Sequence, residues 1–80
     1  MINEEEEIKK EHTLLIKKLV NIMIERKISI KEFSDLINED VSYVVRVFSG
    51  EIYLDIMVMF KIERALKIEI FNQEFTKKAF

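Results

Sequence analysis

Catalytic chemistry has few places to start in this chain. There is one histidine, His12, and there are no cysteines. Neither a disulfide nor a thiolate metal centre can form, and His12 has no second imidazole with which to share a metal. Carboxylates are plentiful, 15 against 13 lysines and arginines, but they fall on the polar sides of amphipathic stretches and do not converge. The single glycine, Gly50, cannot build a phosphate-cradling loop. No nucleophile is patterned with a histidine. The chain is therefore not expected to be an enzyme, and no cofactor or metal is expected. His12 is read as a surface residue near the start of the first helix, and Met57 and Met59 as core or interface filler. What remains is a set of cations and hydroxyls in the middle of the chain: Lys31, Ser42, Tyr43, Arg46 and Tyr53.

The elements that must position them are helical. The chain has 80 residues, no proline and one glycine, a composition poor in turn formers. That length holds one small domain, whose core alone is marginal. The longest apolar run, residues 56–60, is too short to span a bilayer, and no basic-then-apolar leader opens the chain, so a cytoplasmic setting is expected. The run Glu4, Glu5, Glu6, Glu7 reads first as a solvated tail, with residues 1–10 an acidic, frayed N-terminus, and second as charge that favours the positive end of a following helix. Without residues 1–7 the acids fall from 15 to 11 against the same 13 basic residues, and the net charge moves from −2 to +2.

A first helix is expected over residues 8–26, with Leu15, Leu19 and Ile22 as its core stripe and Ile16, Val20 and Met23 as a second stripe beside it. So wide an apolar face suggests burial on two sides or contact with a partner, and Ile16 and Val20 become candidate dimer contacts. Ser29 followed by Glu32 is a capping-box pattern, and Phe33, Leu36 and Ile37 give a short amphipathic helix. Asn38, tolerant of left-handed backbone angles, suits the turn. Asp40 is an N-cap candidate for a third helix with Val44, Val47 and Phe48 inward. Valines 41, 44, 45 and 47 also suit a strand, but they do not alternate with polar residues and no hairpin turn follows. Asp55 is placed to cap a fourth helix with Ile56, Met59, Ile62 and Leu66 inward. Residues 72–80 read as a tail or short fifth helix, in which Phe75 and Phe80, with Phe71 just before, are further dimer candidates.

Ser34, Asn38, Val44 and Val47 supply what two helices crossing at a tight turn require: a small residue at the crossing, a left-handed residue in the turn, and apolar residues facing inward. Residues 28–50, with the closing stretch 59–68, resemble the lambda-repressor-like (Xre-type) helix-turn-helix family, and the likeness covers about residues 14–71. The resemblance implies an all-α fold of four to five helices, with the domain spanning residues 11–71 and a helix-turn-helix at 30–49. It implies a sequence-specific DNA-binding transcriptional regulator, a phage-type repressor or an antitoxin, whose recognition helix at about 40–49 enters the major groove of double-stranded DNA. In that family Val41, Ser42 and Val45 stand where bases are read, Asp40 at the recognition-helix cap, and Tyr43 and Arg46 where side chains reach bases or phosphates. Lys31 and Tyr53 stand at backbone-contact positions. A homodimer is the usual form, and a toxin or another regulator is a possible protein partner.

Local charge departs from that pattern. Between residues 30 and 53 two basic residues, Lys31 and Arg46, face five acids, Glu32, Asp35, Glu39, Asp40 and Glu51, for a local charge of −3. Ile30 and Glu39 also replace the residue types usual at their positions. Phosphate affinity comes largely from cations that displace counterions. A basic stripe of Lys31, Arg46, Lys61 and the pair Lys17 and Lys18 would favour DNA, whereas an acidic face would favour a helix-turn-helix fold used for protein–protein contact, as in an antirepressor or assembly module. Arg46 reads equally as an ion-pair partner of Asp40 or another nearby acid, and Tyr43 and Tyr53 as half-buried packing.

Overall fold

In the computed structural model, which describes residues 3–70, Ser29 and Glu32 close the expected capping box. The Glu32 amide donates to Ser29 Oγ and the Ser29 amide to Glu32 Oε1, both at 3.1 Å. This cap starts the second of four helices: α1 (Glu4–Arg26), α2 (Ile30–Leu36), α3 (Val41–Phe48) and α4 (Ile56–Leu66). No strand occurs among the described residues. Asp55 caps α4 by accepting from the Val58 amide at 2.8 Å. Asp40 holds the N-cap of α3 with extended backbone, but its side chain makes no capping hydrogen bond, so its carboxylate stays free.

All four helices stop by the same backbone device. Lys27, Asn38, Gly50 and Lys67 have positive φ, between 55° and 84°. After each, the next amide reaches back five residues: Ile28 to Met23, Glu39 to Ser34, Glu51 to Arg46 and Ile68 to Glu63. These bonds satisfy carbonyls that a helix end would otherwise leave orphaned. Glycine meets the left-handed requirement at only one of the four ends. Two lysines meet it as well, with their charge near the negative end of the helix dipole.

The core comprises Ile16, Leu19 and Met23 of α1, Phe33 and Ile37 at α2, Val44 and Val47 of α3, and Leu54, Val58, Ile62 and Leu66 at α4. Ser34 lies fully buried where α2 meets α3, and its hydroxyl donates to the Ile30 carbonyl at 2.8 Å. A larger side chain there would push the helices apart.

Four expectations are corrected. Helix α1 starts at Glu4 instead of near Ile8, because Asn3 caps it and its four glutamates fill the first turn, where the helix dipole favours negative charge. Residues 4–10 are thus helical, and the frayed tail is not found. The inward direction of α1 falls between its two apolar stripes, so Ile16, Leu19 and Met23 are buried while Leu15, Val20 and Ile22 are half-buried. Ile16 therefore belongs to the monomer core and offers no dimer surface. Val20, packed against the core, offers little. On α4 the inner row is Val58, Ile62 and Leu66 at four-residue spacing, leaving Met59 half-buried and Ile56 63% exposed. Leu36 is likewise exposed. The expected contacts of Phe71, Phe75 and Phe80 lie outside the described residues.

Candidate nucleic-acid interface

The turn between α2 and α3 aims α3. With Asn38 left-handed and Glu39 tied back to the Ser34 carbonyl at 3.0 Å, α3 packs Val44 and Val47 inward. Phe48 lies at its edge against Phe33, with ring centroids 5.5 Å apart. The opposite side of α3 then presents Val41, Ser42, Val45 and Arg46 to solvent. Val41 is 42% and Val45 46% exposed, and nothing within the chain requires β-branched residues there. Lys31, near the start of α2, and Tyr53, in the loop after α3, are exposed as well.

Tyr43 departs from the expected outward set. Its side chain is half-buried and its hydroxyl is enclosed without a hydrogen-bond partner. Burial raises its pKa above the usual tyrosine value, and the Asp55 carboxylate adds to the rise; the nearby Asp55 backbone opposes it without closing a hydrogen bond. A hydroxyl enclosed in this way favours the half-buried packing reading of Tyr43 over the phosphate contact.

Of the expected basic stripe, Lys31, Arg46 and Lys61 have carboxylate partners, whereas Lys17 and Lys18 on α1 have none among the described residues. Lys31 pairs with Asp35 at 3.6 Å, Arg46 with Glu51 at 3.4 Å and Lys61 with Glu39 at 2.7 Å. The result is neither a basic stripe nor an unbroken acidic face. Glu39, unexpected at its position, is explained here: its bond to Lys61 ties the helix-turn-helix turn to α4. Lys31–Asp35 and Arg46–Glu51 are exposed and worth little, about 0–1 kcal/mol each, so a phosphate can displace their carboxylates.

The loop that carries Tyr53 is anchored by a residue that sequence reasoning assigned to the surface. His12 Nε2 accepts the Leu54 amide at 3.2 Å, and its ring meets that of Tyr53 edge-on, with centroids 4.9 Å apart. Desolvation lowers the His12 pKa, so the neutral acceptor form holds near pH 7. Forty-two residues separate the partners, and no local spacing announces the contact. Among the described residues no group of three or more histidine, cysteine or acidic side chains gathers where a metal could sit. Among the described residues no helix is long and apolar enough to cross a membrane.

Four helices around one core, with α2 and α3 joined at a left-handed turn, define a helix-turn-helix domain. The sequence matches the Helix-turn-helix family over residues 16–71. Comparison with curated proteins and with solved structures returns no match. The chain belongs to the Xre/lambda-repressor-like helix-turn-helix family, a family of DNA-binding regulators.

Proposed function

We propose that this chain is a sequence-specific DNA-binding transcription regulator, of the phage-repressor or antitoxin type, with α3 as its recognition helix. The observation that carries this reading is the division of α3. Val44 and Val47 satisfy the core, while Val41, Ser42, Val45 and Arg46 face out with no structural duty. Val41 and Val45 suit thymine methyl groups, and Ser42 suits a base edge. Arg46 and Lys31 suit phosphates once released from Glu51 and Asp35, and Tyr53, exposed in the loop after α3, suits a backbone contact. The free Asp40 carboxylate at the start of α3 would repel a phosphate and suits the amino group of a cytosine.

The test is a duplex-binding titration at about 50 and about 200 mM salt. Loss of affinity with salt, and loss of binding in the Lys31→Ala/Arg46→Ala double variant, is the expected result. A folded sample that binds no duplex, specific or random, at the lower salt sinks the proposal.

The three ion pairs favour a second reading, in which the same face meets a protein such as a toxin or another regulator. A face whose cations are already neutralised gains less from phosphates than a basic one. In that case the double variant leaves the partner's affinity within about threefold, because exposed ion pairs contribute little.

A further inference from the structure

Helix α1 has a second face. Ile16, Leu19 and Met23 point into the core. Roughly a quarter turn away, Ile8, Glu11, Leu14, Leu15, Lys18 and Ile22 follow one another at helical spacing on a common side. Ile8 is 49% and Leu14 58% exposed, and Leu15 and Ile22 are half-buried. After α4 the chain runs back beside this face, where Ile68, Glu69 and Ile70 complete a mostly apolar groove; Glu69 is engaged in an interaction of its own. Its only two charges on α1 are Glu11 and Lys18. Unlike the cations of the α3 face, neither is ion-paired to a described residue.

We propose that this groove docks a second copy of the chain through antiparallel pairing of the two α1 helices. The argument is self-complementarity. A two-fold axis passing between Leu14 and Leu15 sets Glu11 of each copy opposite Lys18 of the other, with the leucines meeting at the centre and Ile8 beside Ile22. An isologous interface requires such a pattern, because each contact must occur twice with the roles exchanged. Parallel pairing in register would instead oppose Glu11 to Glu11 and Lys18 to Lys18. Antiparallel helices also set opposite dipole ends together. The register brings Glu4 near Glu25 at the open ends, where water and salt screen the repulsion.

Sedimentation equilibrium of the full chain without DNA, from about 1 to about 500 μM, tests the interface independently of any DNA reading. The expected result is a reversible dimer. Glu11→Lys and Lys18→Glu each weaken it roughly tenfold by opposing like charges, and the double exchange restores it. Leu14→Asp abolishes it, and a circular-dichroism spectrum identical to wild type shows that this exposed change leaves the fold intact. A monomer at every concentration overturns the proposal. That would be the outcome were the groove filled by residues 71–80 or by another protein. A dimer that the double exchange fails to restore also overturns it.

Discussion

The imidazole of His12, on the first helix, accepts the backbone amide of Leu54, in the loop between α3 and α4. One hydrogen bond thus joins α1 to the segment that presents Tyr53.

Its pH dependence has a definite sign. The folded-state pKa of His12 lies below its unfolded value of 6.5. As pH falls past 6.5 the unfolded chain takes up the proton first, so stability declines until the folded pKa is passed. Urea unfolding of wild type and His12→Leu between pH 7.5 and pH 5 tests this. The wild type loses its stability advantage over the variant across that window. At pH 7.5 the variant is less stable by about 1 kcal/mol, the worth of one hydrogen bond. A constant gap would show that the bond contributes nothing.

Asn38 sits at φ 55°. Asn38→Ala forces an alanine into the left-handed region and costs about 1 kcal/mol, whereas Asn38→Gly costs less or stabilises. Equilibrium unfolding of both variants decides the order. Equal costs would show that the Asn38 side chain matters for another reason.

Tyr43→Phe removes a hydroxyl that is buried with no partner. The ring's packing survives, so stability is unchanged or rises by up to about 1 kcal/mol. A loss above about 1 kcal/mol would mean that the hydroxyl is bonded, most simply through a buried water. The raised pKa adds a second readout. Above about pH 10 the unfolded chain ionises first, so wild type loses stability there and the phenylalanine variant is spared that loss.

Val47→Ala and Val45→Ala make a matched pair two residues apart. Val47 is 1% exposed and Val45 46% exposed. The first costs about 2 kcal/mol of stability through lost burial and a cavity. The second leaves stability within about 0.5 kcal/mol and, if α3 reads DNA, lowers affinity for the specific site. Thermal melts and the duplex titration read the two effects separately.

Much of the fold was legible because its signals are local. The Ser29–Glu32 box, the Asp55 cap, the Asn38 turn and the Gly50 stop each lie within a few residues of the groups they satisfy. Side-chain direction was less legible. The two apolar stripes on α1 are equivalent in the sequence, and only packing against α4 and the helix pair selects Ile16, Leu19 and Met23. A window centred on Ile62 admits both Met59 and Val58, and the structure buries Val58. Of the candidate site, the exposure of Val41, Ser42, Val45, Arg46, Lys31 and Tyr53 was legible, because helical spacing around the inward Val44 and Val47 leaves the other side of α3 to solvent. Whether Tyr43 packs or faces out was left open by its position on α3, which says nothing of what α4 brings over it. The contacts His12–Leu54 and Glu39–Lys61 span 42 and 22 residues. Such contacts are products of the tertiary fold, and no spacing rule anticipates them.

The helix-turn-helix is held by what faces inward and by the backbone: Ser34, Val44, Val47, the left-handed Asn38 and the amide of Glu39. None of the outward residues of α3 shares that burden. Val41, Ser42, Val45 and Arg46 can therefore be exchanged with little loss of stability, and the scaffold can carry a library of outer faces. If α3 reads DNA as proposed, a change of target becomes a matter of four solvent-facing positions, open to drift in nature and to selection in the laboratory.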